Sequence, residues 1–156
     1  MSSELDLPAD LDRAAVGIVI VDHGSRRDEA NRCHEAFVAD WKARFGYPIV
    51  EAAHMELAKP AIGDAFDACI AAGAATVVIA PYFLWPGTHC DRDIRALAAQ
   101  AAHSHPNVRH LVTAPLGAHP LLMDVVEDRI QHGLAHAVGG APQCELYAGS
   151  DRCRLR

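Results

Sequence analysis

The amino-acid sequence predicts an α/β fold in three layers, with a parallel sheet of about four strands and helices on both faces of the sheet. Four apolar runs rich in β-branched residues alternate with longer, Ala-rich segments that have helical spacing. This alternation within 156 residues indicates βαβ units around one parallel sheet. The apolar run TVVIA at 76–80 is typical of a strand that is buried on both faces.

Each predicted strand and helix follows from its residue pattern. The predicted strands are AVGIVIV at 15–21, PIVEAAHM at 48–55, ATVVIAPYFL at 75–84 and VRHLVTAPL at 108–116. The predicted helices are residues 28–45, 61–72, 91–102 and 120–136. Pro60 lies beside the start of the second helix, Gly73 ends that helix and Pro120 opens the last one, which fits the positional preferences of these residues.

The chain is expected to form one domain, because it contains no linker, fixed-period repeat or low-complexity tract. We divide it into a polar N-terminal extension at 1–15, a domain at 16–138 and a C-terminal tail at 139–156 with two cysteines. Glycines and prolines cut the uncharged stretch 68–90 into pieces shorter than the roughly 20 residues that a spanning helix needs. The sequence therefore predicts no membrane contact.

Composition and charge exclude several classes of protein and partner. A chain with 51% hydrophobic and 22% charged residues is globular with a sizeable core, which excludes disordered and fibrous proteins. The 14 Lys and Arg against 20 Asp and Glu give a net charge of −6, so no general attraction to nucleic acid is expected. The acidic N-terminus and the odd number of cysteines, five, predict a reducing, cytoplasmic location.

Imidazole and carboxylate side chains follow the predicted strands, where ligands bind in open parallel sheets. These residues are His23, His54, Glu56, His89 and His119. Imidazole nitrogens with a carboxylate oxygen suit divalent iron, cobalt, nickel or zinc. We predict that His23, His89 and Glu56 carry the function, and we leave the roles of His54 and His119 open. The other histidines are expected to lie at the surface; they are His34, His103, His105, His110, His132 and His136.

Other chemistries have weaker support in the sequence. Gly24 and Ser25 precede a predicted helix, so their backbone N–H groups are candidates for binding an anion. No glycine-rich nucleotide motif occurs, which argues against a nucleotide-binding domain. The G-x-S-x-G turn of serine hydrolases is also absent, although Ser25 lies near His23.

Basic and aromatic residues lie near the same predicted edge of the sheet. Arg26, Arg27 and Lys59 are candidates for binding an anionic substrate, and the alternative is that they belong to solvated helix faces. Tyr82 and Trp85 are candidates for an apolar wall against a flat ligand, and the alternative is that they belong to the core.

Four ordered motifs carry a resemblance to a known family. They are VDHGSRRDEAN, HMELAKPAIGDAF, APYFLWPGTHCDRDI and APLGAHPLLMDVVEDRI. Over residues 16–156 the chain resembles the single-domain sirohydrochlorin chelatases of the CbiX type, and most of all the plant and cyanobacterial sirohydrochlorin ferrochelatases of siroheme synthesis. The resemblance implies a homodimer that inserts a divalent metal into sirohydrochlorin, an octacarboxylate tetrapyrrole. It places the metal-site histidines at His23 and His89 and the nearby acidic residue at Glu56.

The resemblance leaves the metal and the activity open between several expectations. We favour Fe²⁺ as the substrate metal, with Co²⁺ or Ni²⁺ as alternatives, because all three suit imidazole and carboxylate ligands. The alternative enzyme is a sirohydrochlorin cobaltochelatase of cobalamin biosynthesis. From a different class, a carrier of tetrapyrrole or metal without catalysis would use the same cleft.

The C-terminal tail departs from the plant-type pattern. The plant-type enzymes carry more cysteines there and an iron–sulfur cluster, whereas this tail keeps Cys144 and Cys153 and has Tyr147 in the place of another cysteine. Two cysteines are fewer than the four thiolates of a usual cluster, unless a dimer brings four together. We therefore expect free thiols or a redox disulfide and no [2Fe–2S] cluster.

Overall fold

The structure is a computed structural model that describes residues 10–150, 152 and 153, without the side chains of His89, Cys90, Asp91 and Glu145. The chain divides into two compact units, Met1–Gly117 and Ala118–Arg156. This boundary falls inside the domain predicted at 16–138, which therefore remains a prediction. Most of the predicted extension at 1–15 lies outside the described residues.

The strands and helices alternate along the chain, as the sequence predicted. The strands are β1 (Val16–Asp22), β2 (Ile49–His54), β3 (Thr76–Pro81) and β4 (Arg109–Val112). The helices are α1 (Asp28–Phe45), α2 (Ile62–Ala71), α3 (Arg95–His103) and α4 (Pro120–Ala137). Short 3₁₀ turns occupy Arg13–Ala15 and Glu145–Tyr147, and a π-helical segment at His89–Ile94 leads into α3.

The four strands form one parallel sheet in the order β2-β1-β3-β4. Asp22 pairs with His54 across β1 and β2, and Val21 pairs with Pro81 across β1 and β3. The carboxyl ends of these three strands therefore lie side by side at one edge of the sheet. The predicted α/β class with a four-stranded parallel sheet is confirmed.

Helices of the first unit cover both faces of the sheet. Val19 and Val21 pack against α2 and α3 in a core cluster that includes Phe66. Ile18 and Ile20 belong to a second cluster on the opposite face, with residues of α1. Because successive strand side chains point to opposite faces, the continuous apolar run of β1 supplies both clusters.

The second unit contains α4, whose start is fixed by local chemistry. Pro120 occupies the first turn, and the Nδ1 atom of His119 accepts a hydrogen bond of 3.2 Å from the backbone N–H of Leu121. His119 is therefore the N-cap residue of α4 in this structure. No residue of Pro120–Ala137 is buried.

Within residues 10–150, no helix is both long enough and apolar enough to cross a bilayer.

Candidate functional site

The carboxyl edge of the sheet is held together by backbone hydrogen bonds between neighbouring loops. The N–H of Met55 donates to the carbonyl of Asp22 at 2.8 Å, and the N–H of Glu56 donates to the carbonyl of His23 at 3.2 Å. On the other side of β1, the N–H of Tyr82 donates to the carbonyl of Val21 at 2.7 Å. These bonds fix the residues that follow β1, β2 and β3 beside one another.

His23 and Glu56 form an accessible imidazole–carboxylate pair at this edge. The Nε2 atom of His23 lies 3.0 Å from Oε1 of Glu56, and the two side chains are 44% and 50% exposed. The imidazole ring meets the ring of Phe83 edge-on, with 6.4 Å between their centroids. Both side chains of this pair are therefore partly accessible from solvent.

Gly24 makes this pair possible because it brings the loop after β1 close to the loop after β2. Its φ of +83° lies in the left-handed region, and a Cβ at this position would be 1.9 Å from the carbonyl oxygen of Glu56. The Gly24 N–H donates to Oδ1 of Asp22 at 2.9 Å. Position 24 in the motif VDHGSRRDEAN therefore requires glycine, because any side chain there would clash with the loop after β2.

A second imidazole–carboxylate pair, with a buried imidazole and a partly buried carboxylate, lies next to the first. Nδ1 of His54 donates to Oδ1 of Asp22 at 2.6 Å, and the His54 side chain has no solvent exposure. The ring of His34 lies 5.5 Å from that of His54 between centroids. The role of His54 was left open by the sequence, and in the structure this residue is the hydrogen-bond partner of Asp22 at this edge.

His34 is buried, so its prediction as a surface residue was wrong. Its Nε2 atom donates to the carbonyl of Ile20 at 3.0 Å, which satisfies one ring nitrogen under α1. Asn31, His34 and Val38 are the buried residues of α1, at the three- and four-residue spacing of one helix face. That spacing was the available signal for the inward position of His34.

The remaining predicted surface histidines are exposed or half-buried. His103 and His110 are exposed, whereas His105, His132 and His136 are half-buried. Nε2 of His105 donates to Asp67 at 2.8 Å, and Nδ1 of His136 donates to the carbonyl of Ala141 at 3.0 Å.

His89 lies in the π-helical segment that follows the loop after β3, where the sequence predicted a loop. Its side chain is outside the described part of the structure, so its predicted role at the metal site remains a prediction. Among the described residues, no group of three or more His, Cys, Asp or Glu side chains is arranged to hold a metal ion. The described pair of His23 and Glu56 offers two ligand atoms.

A polar cavity of about 320 Å³ opens between the loop after β1 and the loop after β2. Its lining residues are Ser25, Arg26, Asp28, Asn31, Arg32, Glu35, Leu57, Ala58 and Lys59. Asn31 closes the loop after β1, because its side-chain oxygen accepts from the N–H of Ser25 and its side-chain N–H donates to the Ser25 carbonyl, both at 2.9 Å. One wall of the cavity is therefore held in place by side-chain hydrogen bonds. Three cationic side chains line the cavity, those of Arg26, Arg32 and Lys59.

The predicted substrate-binding cations differ in their surroundings. Arg26 lines the cavity and has no ion-pair partner within residues 10–150. Arg27 is not a lining residue, and its guanidinium lies 3.4 Å from Glu29. Lys59 lines the cavity but donates to Asp64 at 2.7 Å, and this hydrogen bond lowers the pKa of the Asp64 carboxyl.

The aromatic residues after β3 lie at the surface or against the sheet. Trp85 is 64% exposed, and Tyr82 is exposed with its ring 4.8 Å from that of Phe37 between centroids. Phe83 is half-buried and packs against the core. Tyr82 and Trp85 are thus available to a ligand, whereas Phe83 belongs mainly to the core.

The chain is similar to known proteins of one family. A model of the family described as CbiX matches residues 17–133. The chloroplastic sirohydrochlorin ferrochelatase of Arabidopsis thaliana is 55% identical over 141 residues, which are 90% of this chain and 63% of that protein. The sirohydrochlorin cobaltochelatase of Priestia megaterium is 30% identical over 118 residues, which are 73% of this chain and 37% of that protein.

The fold is also that of a solved chelatase. The crystal structure of the sirohydrochlorin chelatase SirB from Bacillus subtilis subspecies spizizenii in complex with cobalt matches with a TM-score of 0.72 and 31% identity. The match covers 74% of this chain and 50% of that chain, so this chain spans about half the length of the solved protein. The family match covers most of the sheet and its helices, and the chain belongs to the CbiX family.

Proposed function

We propose that this chain is a chelatase that inserts a divalent metal into sirohydrochlorin, with Fe²⁺ as the favoured metal, in siroheme biosynthesis. The observation that carries the proposal is the half-exposed pair of His23 and Glu56, 3.0 Å apart at the carboxyl edge of the sheet. Its relatives described as ferrochelatase and cobaltochelatase support the same reaction class.

Metal insertion needs a weak base and a loosely held cation at one place. Two pyrrole N–H protons leave the macrocycle while the metal ion exchanges its waters for pyrrole nitrogens. Neutral imidazole, with an unperturbed pKa of about 6.5, binds divalent metals and accepts protons near neutral pH. We assign His23 and His89 to holding the substrate metal and passing it to the macrocycle.

Glu56 has two roles in this proposal. Its carboxylate lies against the His23 imidazole, so it offsets the charge of an incoming divalent cation. It also accepts a proton that leaves a pyrrole nitrogen as the metal enters. The Glu56 side chain is 50% exposed, and the proton is then released to solvent.

The cavity beside the pair provides a place for substrate carboxylates. Arg26, with no ion-pair partner within residues 10–150, is placed to meet one of them despite the net charge of −6. Arg27 and Lys59 already meet Glu29 and Asp64 and would have to exchange those partners for the substrate. Arg26 is therefore the principal carboxylate contact of the proposal.

The loop after β3 provides an apolar surface for the macrocycle. Trp85 is 64% exposed, which is unusual for a large aromatic residue unless a ligand or partner covers it. The ring of Tyr82 packs against that of Phe37 in α1, and Tyr82 remains exposed. We assign Tyr82 and Trp85 to contacts with the flat tetrapyrrole.

A metal-insertion assay tests the function and the metal preference together. Purified protein is mixed anaerobically with sirohydrochlorin and with Fe²⁺, Co²⁺ or Ni²⁺, and the absorption change of the macrocycle is followed against a protein-free reaction. We expect catalytic turnover, fastest with Fe²⁺. Fastest turnover with Co²⁺ would favour the cobaltochelatase alternative, and stoichiometric binding of sirohydrochlorin without faster insertion would favour a carrier.

We also propose that the enzyme is a homodimer. Large apolar side chains of α4 are exposed in the single chain, and a second copy would remove them from water. These side chains are Leu121, Met123, Val125, Val126, Ile130 and Leu134. Light scattering should give twice the chain mass of 16.8 kDa, and a value near one chain mass at micromolar concentration would reject the dimer.

We also propose that the C-terminal tail holds no iron–sulfur cluster. Cys144 is half-buried and Cys153 is exposed, and both thiols are free. Tyr147, whose ring centroid lies 4.8 Å from the guanidinium carbon of Arg152, offers no thiolate at this position. Anaerobically purified protein should be colourless and free of iron, and a stoichiometric cluster in EPR after reduction would reject this.

The cellular location is proposed from the sequence alone. The odd number of cysteines, five, favours a reducing compartment such as the cytoplasm, whereas the Arabidopsis thaliana relative is described as chloroplastic. Fractionation of the source cells, with the protein followed by antibody, would distinguish the cytoplasm from an organelle.

A further inference from the structure

Asp22 and His54 are neighbours on the same face of the sheet for reasons of strand geometry. They are directly paired in the register of β1 and β2, as the last residue of each strand. Counting back by twos from Asp22 reaches Ile20 and Ile18, which pack on the α1 face. The period of two therefore places both Asp22 and His54 beneath α1.

The contact between the two side chains is short, and its imidazole is shielded from water. Nδ1 of His54 is 2.6 Å from Oδ1 of Asp22, and the His54 side chain is 0% exposed. An ionised carboxylate has no hydrogen to donate, so the imidazole donates through Nδ1. The same carboxylate oxygen accepts the N–H of Gly24, and the N–H of His54 donates to the carbonyl of Pro60 at 2.8 Å.

Asp22 and His54 are near neighbours of His23 and Glu56 along the chain and are connected to them by hydrogen bonds. His23 lies between Asp22 and Gly24. The Asp22 carboxylate accepts hydrogen bonds from the imidazole of His54 and from the N–H of Gly24. Glu56 follows His54 by two residues, and its N–H bonds to the carbonyl of His23. A displacement of the His54 ring would therefore move both members of the pair of His23 and Glu56.

The other ring nitrogen of His54 lacks a comparable bond. Nε2 is buried without a hydrogen-bond partner among the described residues, and its nearest carboxylate oxygen is Oε1 of Glu35 at 3.9 Å. That distance is beyond a hydrogen bond. The connection to the loop after β1 is made by Nδ1.

We propose that His54 is a positioning residue, whose Nδ1 bond to Asp22 sets the geometry of His23 and Glu56 for metal transfer. This inference rests on the chelatase activity proposed above. His54 does not touch the metal or the macrocycle in this account. It acts through Asp22 and Gly24 on one side and through Met55 and Glu56 on the other.

Three substitutions of His54 distinguish its two nitrogens. His54→Leu removes both nitrogens, His54→Asn keeps an N–H donor at the place of Nδ1, and His54→Gln moves the donor to the place of Nε2. Because small misplacements of reacting groups slow reactions strongly, His54→Leu should lower kcat about 10- to 100-fold with little change in KM for sirohydrochlorin. His54→Asn should recover most of the lost rate, and His54→Gln should not.

A stability control separates positioning from loss of core packing. Phe66→Leu removes volume from a fully buried side chain of α2 that belongs to neither imidazole pair. It should lower the melting temperature and leave kcat unchanged below that temperature. A fall in kcat for Phe66→Leu equal to that of His54→Leu at matched loss of stability would overturn the positioning role.

A spectroscopic arm tests the inference without using turnover. The ring nitrogen resonances of His23 in protein with ¹⁵N-labelled histidine should move in His54→Leu and return in His54→Asn. Unchanged His23 resonances in His54→Leu, or recovery by His54→Gln in place of His54→Asn, would overturn the assignment. A wild type that inserts no metal but shows these shifts would reject the proposed function alone.

Discussion

Two imidazole–carboxylate pairs lie side by side at the carboxyl ends of β1 and β2, and they differ in their access to water. Asp22 and His54 are 2.6 Å apart, and the imidazole is fully buried. His23 and Glu56 are 3.0 Å apart, and about half of each side chain is exposed. Asp22, the last residue of β1, and His23, the residue after it, thus belong to two imidazole–carboxylate pairs in different environments.

The comparison shows how one strand end supplies both a support and a reactive pair. A hydrogen bond to a carboxylate is stronger where water is excluded, so the buried pair is suited to fixing the backbone. A half-exposed pair is accessible from solvent and is suited to binding a metal ion and moving protons. Asp22 and His23 point to different environments because successive side chains alternate at the end of a strand.

The largest effect should come from removing the exposed pair's imidazole. His23→Ala should lower the rate of metal insertion at least about 100-fold with the fold intact, because it deletes a metal ligand and a base. We expect the same loss for His89→Ala. Turnover and circular dichroism are the measurements. His105→Ala, which breaks a surface pair with Asp67, is the matched control and should leave turnover near that of wild type.

If His23→Ala retained wild-type turnover over the protein-free rate, the metal role of the exposed pair would be wrong. A loss in His105→Ala as large as that in His23→Ala would show that any imidazole–carboxylate pair has this effect.

The second effect tests the glycine that brings the two pairs together. Gly24→Ala should destabilise the protein by about 3 kcal/mol and lower turnover, because the new Cβ meets the Glu56 carbonyl in a left-handed backbone conformation. Gly46→Ala is the control, since Gly46 has a φ of +69° with no atom near the new Cβ, and should cost only about 1 kcal/mol. Urea denaturation measures both, and equal costs would remove the steric argument for Gly24.

A smaller effect is expected at the cationic cavity beside the exposed pair. Arg26→Ala should raise KM for sirohydrochlorin about fivefold with little change in kcat, because a carboxylate contact formed in both ground and transition states is lost. Arg44→Ala removes the same charge from the last turn of α1 and is the control. If both variants raise KM equally, net charge and not the cavity explains the effect.

The smallest effect concerns a second contrast between a buried and an exposed group. Burial raises the pKa of the Cys69 thiol to about 12, so its reactive thiolate is scarce at pH 8. Cys33 is exposed on α1 and should react quickly with a thiol reagent. Cys33→Ser should remove one fast-reacting thiol, whereas Cys69→Ser should leave the fast phase unchanged; loss of that phase in Cys69→Ser would contradict the burial of its thiol.

Much of the fold and part of the site could be predicted from the sequence. The strand order along the chain and the polar residues after each strand predicted that His23 and Glu56 meet, because parallel strands end at one edge. The prediction that His34 is exposed was wrong. Its three- and four-residue spacing from Asn31 and Val38 places it on the buried face of α1. The burial of His54 depends on its register opposite Asp22, which no local pattern specifies.

The start of the third helix was the other feature that could not be predicted from the sequence. The third helix was predicted from residue 91, whereas a π-helical segment occupies His89–Ile94 and α3 begins at Arg95. The wider π-helical turn depends on packing around the segment, where Ile94 is fully buried in the core. Local helix propensity does not distinguish such a segment from an α-helix.

Anomalous diffraction from crystals soaked in Co²⁺ tests most directly whether the exposed pair is the metal site and the buried pair its support. The account predicts a cobalt peak at coordination distance, about 2.1 Å, from Nε2 of His23 and an oxygen of Glu56, with the bond between Asp22 and His54 intact. A cobalt ion bound by His54 or Asp22, or bound elsewhere while His23 and Glu56 remain unliganded, would contradict it.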